Sequence, residues 1–157
     1  MKMCAALTIR RYEPADAEAV WELHERALRN SPLTFVENAP ADEDLTAISE
    51  RYLDAGGEFL VGLVDSSIVA SGGFQPRAGE TAELRRMRVD PAHQGNGYGG
   101  EMLDALEDRA REAGIRRLVL STNEQLKAAR SLYESHGYTE LDSAATEAEM
   151  VGYEKRL

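Results

Sequence analysis

The residues with the plainest chemical meaning are Gln94-Gly95-Asn96-Gly97-Tyr98-Gly99-Gly100. A loop this rich in glycine lets backbone amides turn inward, and a helix opening from it adds about half a positive charge at its N-terminus, so the two together suit a pyrophosphate. The helix is legible downstream, where Met102, Leu103, Leu106, Ala110 and Ala113 share one face and Glu101, Asp104, Asp108 and Glu112 face away. A P-loop is excluded, because it needs Lys and then Ser or Thr after its last glycine, whereas Gly100 is followed by Glu101 and Met102. Gly95, Gly97 and Gly100 satisfy G-x-G-x-x-G, but Asp90 to Gln94 separate them from the preceding strand, and Leu120 is followed by Ser121 and Thr122 where a ribose-binding acid belongs. What remains is Q-x-x-G-x-G at Gln94, Gly97 and Gly99, a pattern that alone is as often a structural turn as a ligand site.

Upstream, the strand Ala82 to Val89 has apolar residues at Leu84, Met87 and Val89, so its alternation breaks between Leu84 and Met87. A β-bulge near Arg85-Arg86 restores it, and bulges re-aim backbone groups beside active sites. Arg85, Arg86, Arg88 and Arg130 are cations in an acidic chain, available to phosphate or simply solvated. His93 sits in the loop, either facing phosphate or simply exposed, and His24 and His136 are read as packing. Tyr133 shares a helical face with Leu126, Ala129 and His136, which fits either a core aromatic or a working hydroxyl. Glu83, six residues before Val89, is either a solvated glutamate or a functional carboxylate.

These residues need a frame. Leu7 to Tyr12 reads as a strand ended by Pro14, with Asp16 capping a helix from Ala17 whose apolar face carries Val20, Trp21, Ala27 and Leu28. Ser31 to Asp44 reads as a loop, and Leu45 to Leu53 as a second short helix stopped by Gly56-Gly57. Glu58 to Val64 and Ile68 to Phe74 flank Asp65-Ser66-Ser67 as an antiparallel hairpin. After the cradle helix, closed by Gly114, come a strand at Arg117 to Leu120, a helix at Leu126 to His136 closed by Gly137, and strands at Tyr138 to Leu141 and Val151 to Tyr153 around a loop. The fold class implied is α/β (α+β): a mixed sheet covered on both faces.

The chain has 157 residues, 43% of them apolar, enough for one domain over residues 1–157 that buries its own core. Its net charge of -10 opposes binding to nucleic acid or an anionic membrane. No run approaches the roughly 20 apolar residues of a bilayer span, and Met1 to Thr8 does not read as a signal peptide, so a cytoplasmic protein is expected. The lone Cys4 has no thiolate or histidine near it in sequence, so no metal site is expected.

The Q-x-x-G-x-G loop, with Val89-Asp90-Pro91 before it and Ala129-x-x-Leu132-Tyr133-x-x-x-Gly137-Tyr138 after it, resembles the GCN5-related N-acetyltransferase (GNAT) superfamily from about Ala82 to Leu141, with a weaker echo in Ile9 to Asp16. The resemblance implies a mostly antiparallel sheet of about seven strands flanked by about four helices. It also implies acetyl-CoA as donor, a small-molecule or protein amine as acceptor, and direct attack in a ternary complex, with a homodimer common among members. Residue by residue, it implies coenzyme contacts at Met87, Arg88 and Val89 through a splayed strand, and at Gln94, Gly95, Asn96, Gly97, Tyr98, Gly99, Gly100 and Arg130. Glu83 is implied as the base that deprotonates the amine and Tyr133 as the acid at the leaving sulfur. Many relatives carry an Asn seven residues before that tyrosine; here Leu126 stands there, and Asn123 is the nearby substitute. Two other readings stay open: a non-catalytic acyl-CoA-binding domain, and a nucleotide-binding redox domain that NAD rather than coenzyme A would stabilise. Glu37, Asp42, Glu43, Asp44, Glu147 and Glu149 form either an acidic mouth for a cationic amine or plain solvated loops.

Overall fold

The computed structural model describes residues 6–30, 40–141 and 150–157. Cys4, Glu37, Glu147, Glu149 and the side chain of Asp42 lie outside the described residues. Strand β1 (Thr8–Arg11) leads through a 3-10 turn at Pro14–Asp16 into helix α1 (Ala17–Arg29). Asp16 does not cap α1 with its side chain; its carboxylate accepts from the Glu13 amide (2.8 Å) and from Arg10 (2.7 Å), fixing the turn instead.

The expected helix at Leu45 to Leu53 is replaced by one tighter and one looser turn, 3-10 over Pro40–Thr46 and π-type over Ser49–Leu53. The apolar face expected there is present: Leu45, Ile48 and Tyr52 are buried against Tyr12, Val20, Phe59 and Val61. The last turn is closed by wide bonds, Asp54 N back to Ser49 O (2.7 Å) and Gly57 N to Tyr52 O (2.7 Å). An i→i+5 bond widens the last turn and carries Tyr52 into the core.

Strands β2 (Glu58–Val64) and β3 (Ser67–Pro76) form the hairpin, whose loop is the two residues Asp65 and Ser66 at φ 49° and 69°. Two successive left-handed residues match a type I′ turn, which fits strand twist but strains any side-chain residue. Ser66→Gly is therefore expected to stabilise the protein by roughly 0.5–1 kcal/mol, net of glycine's entropy in the unfolded chain. A urea midpoint that fails to rise, at unchanged m-value, would show that Ser66 is not strained.

The remaining elements are β4 (Thr81–Val89), α2 (Tyr98–Glu112), β5 (Arg117–Asn123), α3 (Lys127–Ser135), β6 (Thr139–Glu140) and β7 (Met150–Arg156). Strands β5 and β7 outrun their sequence limits because they pair along their length, from Arg117 with Arg156 to Asn123 with Met150. The sheet runs β1-β2-β3-β4-β5-β7-β6 and is antiparallel except between β4 and β5. Phe59 and Val61 pack toward α1 and the Leu45–Tyr52 turn, while Leu60, with Leu84, joins the core under Met102, Leu103 and Leu106 of α2. No helix among the described residues is long and apolar enough to cross a membrane.

Candidate active site

Two irregularities in β4 create the site. The first is the bulge: Ser71 pairs with Arg88 but Gly73 with Arg85, and Arg86 takes up the slack at φ 61°. Ser71 Oγ donates to Arg86 O (2.9 Å), and the Arg86 guanidinium grips the buried Asp44 carboxylate. With the extra residue absorbed, Leu84, Met87 and Val89 all pack toward the core beneath α2, as their spacing implies. The second is a splay: β4 and β5 pair only from Thr81–Arg117 to Glu83–Val119. Beyond Glu83 the strands part, leaving a wedge.

Backbone groups of β4 point into it. Asp90 N donates to Val69 O on β3 (2.7 Å), and residues alternate along a strand, so the polar backbone groups of Val89 and Met87 are directed away from β3, toward the gap. The carbonyls agree, since Val89 O accepts from Gln94 Nε2 (3.3 Å) and Met87 O from an Arg88 terminal nitrogen (3.0 Å).

At the wedge's mouth lies the glycine loop. Gly95 and Gly97 have φ of 84° and 80°, and a Cβ on either would meet nothing within 4 Å, so these two supply the turn and leave its face open. Gly99 and Gly100 serve a different need: a Cβ there would stand 3.1 Å from Leu132 and 3.2 Å from His136, so they let α2 start hard against α3. The first bond of α2 is Glu101 N to Gly97 O (3.1 Å), so the amides of Gly99 and Gly100 have no acceptor within the helix. An open loop, helix-end amides and strand groups converge on one cleft of about 460 Å³. That donor set fits a pyrophosphate at the mouth and an extended amide-bearing chain along β4.

Of the residues singled out by sequence, Met87, Arg88, Val89, Gln94, Gly95, Gly97, Tyr98, Gly99, Gly100 and Tyr133 line this cleft together. Tyr98 does so while 3% exposed, packed near Val64 and Val69. Tyr133 is 6% exposed and makes a T-shaped ring contact with Tyr138 (5.8 Å between centroids). Burial pushes its hydroxyl up to about 12, and the Arg88 guanidinium pulls the other way.

Four others stand elsewhere. Asn96 turns its amide to His93 O (3.0 Å). Asn123 Oδ1 accepts from Gln125 N (2.9 Å), shaping the entry to α3 rather than the cleft. Arg130 donates to Tyr153 Oη (3.1 Å) and Glu140 (2.9 Å), a structural tie that leaves it outside the lining. Glu83 lies where the wedge closes, beyond the lining residues, and Arg77 donates to one of its oxygens, Oε1, from Nε (3.0 Å) and a terminal nitrogen.

The lining also includes residues that the sequence did not offer. Ala27, Leu28 and Asn30 come from the end of α1, and Gln125, Lys127 and Ala128 from the start of α3. His93 is half-buried at the cleft, not exposed, and its Nδ1 is buried without a hydrogen bond. Asp90 holds α1 in place by accepting from Arg26 (2.8 Å) while capping the Pro91–His93 turn through Ala92 N (3.0 Å). Asp44, expected in a loop, is 4% exposed and accepts from Arg86 and from Tyr52 Oη (2.5 Å), so it is no part of an acidic mouth. Burial pushes its carboxyl up, but the Arg86 and Tyr52 hydrogen bonds and the charges of Arg86 and Arg85 outweigh this, and the net shift is below the ordinary range.

The chain is 32% identical over 107 residues to the uncharacterized N-acetyltransferase YjgM of Escherichia coli, 66% of this chain and 64% of that protein. It spans smaller shares, 29% and 54%, of two other curated relatives. Among solved structures, an acetyltransferase of the GNAT family from Staphylococcus aureus Mu50 superposes with a TM-score of 0.87 at 23% identity, covering 97% of this chain and 99% of that one. The putative acetyltransferase yncA from Salmonella typhimurium, solved with its cofactor acetyl-CoA, superposes with a TM-score of 0.78 at 25% identity, covering 97% and 94%. The family described as the acetyltransferase (GNAT) family matches residues 9–138. With the splayed strands, the glycine loop at a helix start and the seven-stranded mixed sheet agreeing with that match, the chain belongs to the GNAT acetyltransferase family.

Proposed function

We propose that the protein is an N-acetyltransferase that uses acetyl-CoA and acetylates a primary amine by direct attack within a ternary complex. The observation that carries the reading is the convergence of the glycine loop, the inward-facing groups of Met87 and Val89, and the buried Tyr133 hydroxyl on one cleft. Acetyl-CoA would supply an acetyl group activated as a thioester. The amides of Gly95 to Gly100 and the N-terminus of α2 hold its pyrophosphate, and β4 backbone groups from Met87 to Val89 hold the extended arm. A donor directed at the reacting carbonyl from a fixed backbone stabilises charge there without reorganising.

Tyr133 holds a proton at Oη for the departing sulfur. Glu83, the one carboxylate on β4, receives the proton that the attacking amine loses, directly or through a water at the closed end of the wedge. Its Oε1 is committed to Arg77, which leaves the other oxygen for that task. Apolar Leu126, Ala129 and Leu132 also line the cleft and would keep water from the thioester once the donor fills it.

The test is coenzyme A release from acetyl-CoA against a panel of primary amines, run beside a thermal shift with acetyl-CoA alone. Turnover with at least one amine is expected, together with a higher melting temperature. Stabilisation by acetyl-CoA with no release for any amine would replace the enzyme by a binding domain, and stabilisation by NAD but not coenzyme A would remove the donor assignment.

A further inference from the structure

Past Met87, where the cleft lining ends on β4, three residues remain before the wedge closes at Glu83: Arg86, Arg85 and Leu84. Leu84 is buried in the core under α2. Arg86 is spent on Asp44, which it meets with two nitrogens, and its side chain is 10% exposed. Arg85 differs. Its side chain is 30% exposed, on the same sheet face as Glu83 and Gln75, opposite Leu84. Its contacts are a long bond to Gln75 Oε1 (3.3 Å) and an approach of 3.7 Å to Asp44, whose oxygens already accept from Arg86 and Tyr52. A guanidinium has five donors in a planar fork matched to a carboxylate, and this one spends few of them.

From these observations we infer that the amine substrate carries a carboxylate, and that the Arg85 guanidinium binds it. The inference rests on the acetyltransferase reading above. Glu83 and Arg85 stand two residues apart on one face of β4, about 7 Å at strand spacing, a negative group followed by a positive one. An amino acid has the complementary pair, an ammonium that meets Glu83 on its way to losing a proton and a carboxylate that meets Arg85. A polycation meets the reverse: Arg85 and Arg86 against the single charge of Asp44, with Arg77 and Glu83 cancelling, leave these five side chains with one positive charge in excess although the chain as a whole is strongly acidic. Like-charge contact at a desolvated site excludes partners as effectively as attraction selects them. Arg85 is a binding residue here and takes no part in proton transfer.

The experiment compares acceptors in pairs that exchange a carboxylate for its neutral amide, glycine with glycinamide and β-alanine with its amide, each by kcat/KM expressed per free amine, because the amide also lowers the basicity of the neighbouring nitrogen. The carboxylate member is expected to lead by about 10- to 100-fold, the range of a charge-assisted bidentate contact. Arg85→Gln should collapse the ratio toward one, chiefly through acceptor KM and with a smaller change in donor KM, and Arg85→Lys should fall between, since it keeps charge without the fork. Equal kcat/KM within the wild-type pairs, or preference for the amide, would overturn the inference while leaving the enzyme in place. If no amine turns over, the coenzyme A complex is titrated with N-acetyl-β-alanine and with its amide while the Arg85 Nε–H resonance is followed by NMR. A saturable shift with the carboxylate alone supports the assignment, and no shift rejects it. Thermal stabilisation by acetyl-CoA, measured separately, reports on the donor reading.

Discussion

Tyr133→Phe is expected to lower kcat by about 100-fold, the low end of the range for a positioned general acid, with little change in acetyl-CoA affinity. The low end follows from the environment. Burial pushes the hydroxyl up to about 12, whereas an ordinary thiol titrates near 8.5. A phenol that holds its proton more tightly than the leaving sulfur works mainly as a strong hydrogen-bond donor to developing charge, and completes the transfer only as Arg88 and the closing site favour it. The ring's own packing, edge-on to Tyr138 at 5.8 Å and tilted against Tyr153 at 6.0 Å, survives the change, so the melting temperature should stay close to wild type. The sign of the pH effect is fixed by the same shift: an acid raised to about 12 keeps its proton throughout pH 7 to 10, so Tyr133 contributes no alkaline fall in rate there. Equal turnover in both proteins would remove Tyr133 from the chemistry. An alkaline limb near pH 9 present in wild type and absent in the variant would contradict the protonation state.

The glycine loop and the bulged strand that shape the cleft were legible because they depend on local requirements that only certain residues meet. Gly95 and Gly97 take left-handed angles that no other residue adopts cheaply, and the lost alternation between Leu84 and Met87 located the Arg86 bulge without any knowledge of its partner strand. The amphipathic spacing of α2 and α3 likewise survives in the fold, and so do seven strands in a mixed sheet. What escaped was decided by contacts between distant segments. Ala27 to Asn30 reach the cleft because Asp90, more than sixty positions later, holds Arg26. Arg130 suits phosphate as a cation on the right helix, but Tyr153 and Glu140 on the neighbouring strands claim it first. The segment before β2 showed its apolar face, Leu45, Ile48 and Tyr52, yet not its winding, because the wide last turn is set by tertiary packing of Tyr52 rather than by propensity. Asp44 was lost for the same reason: in an acidic stretch of sequence nothing distinguishes the one carboxylate whose partner lies 42 residues away.

Asp44→Ala is expected to destabilise the fold by about 3–5 kcal/mol, the cost of removing one member of a buried ion pair. That is a large share of a typical domain's total of about 5–15 kcal/mol. The carboxylate is 4% exposed and has Arg86 on both oxygens and Tyr52 Oη on one of them, so its removal strips a charge from a guanidinium whose side chain is 10% exposed and a bond from a buried hydroxyl. Asp44→Asn should cost less, because it keeps an acceptor. Urea unfolding at pH 7 measures both, and a loss below about 1 kcal/mol for the alanine variant would show that the pair is no better than a surface contact. Acid gives an independent check. The net shift of Asp44 is downward, so its contribution is complete above the unfolded carboxyl value of about 3.9 and is lost as pH falls through the lower folded value. The gap in stability between wild type and Asp44→Asn should therefore close as the pH drops below about 4, and a gap that widens there would reverse the sign. Because Asp44 holds Arg86 at the residue that carries the bulge, loosening it also frees the register that aims Met87 and Val89 into the wedge. Activity should fall in the asparagine variant even at temperatures where it remains folded, which separates a positioning role from stability alone.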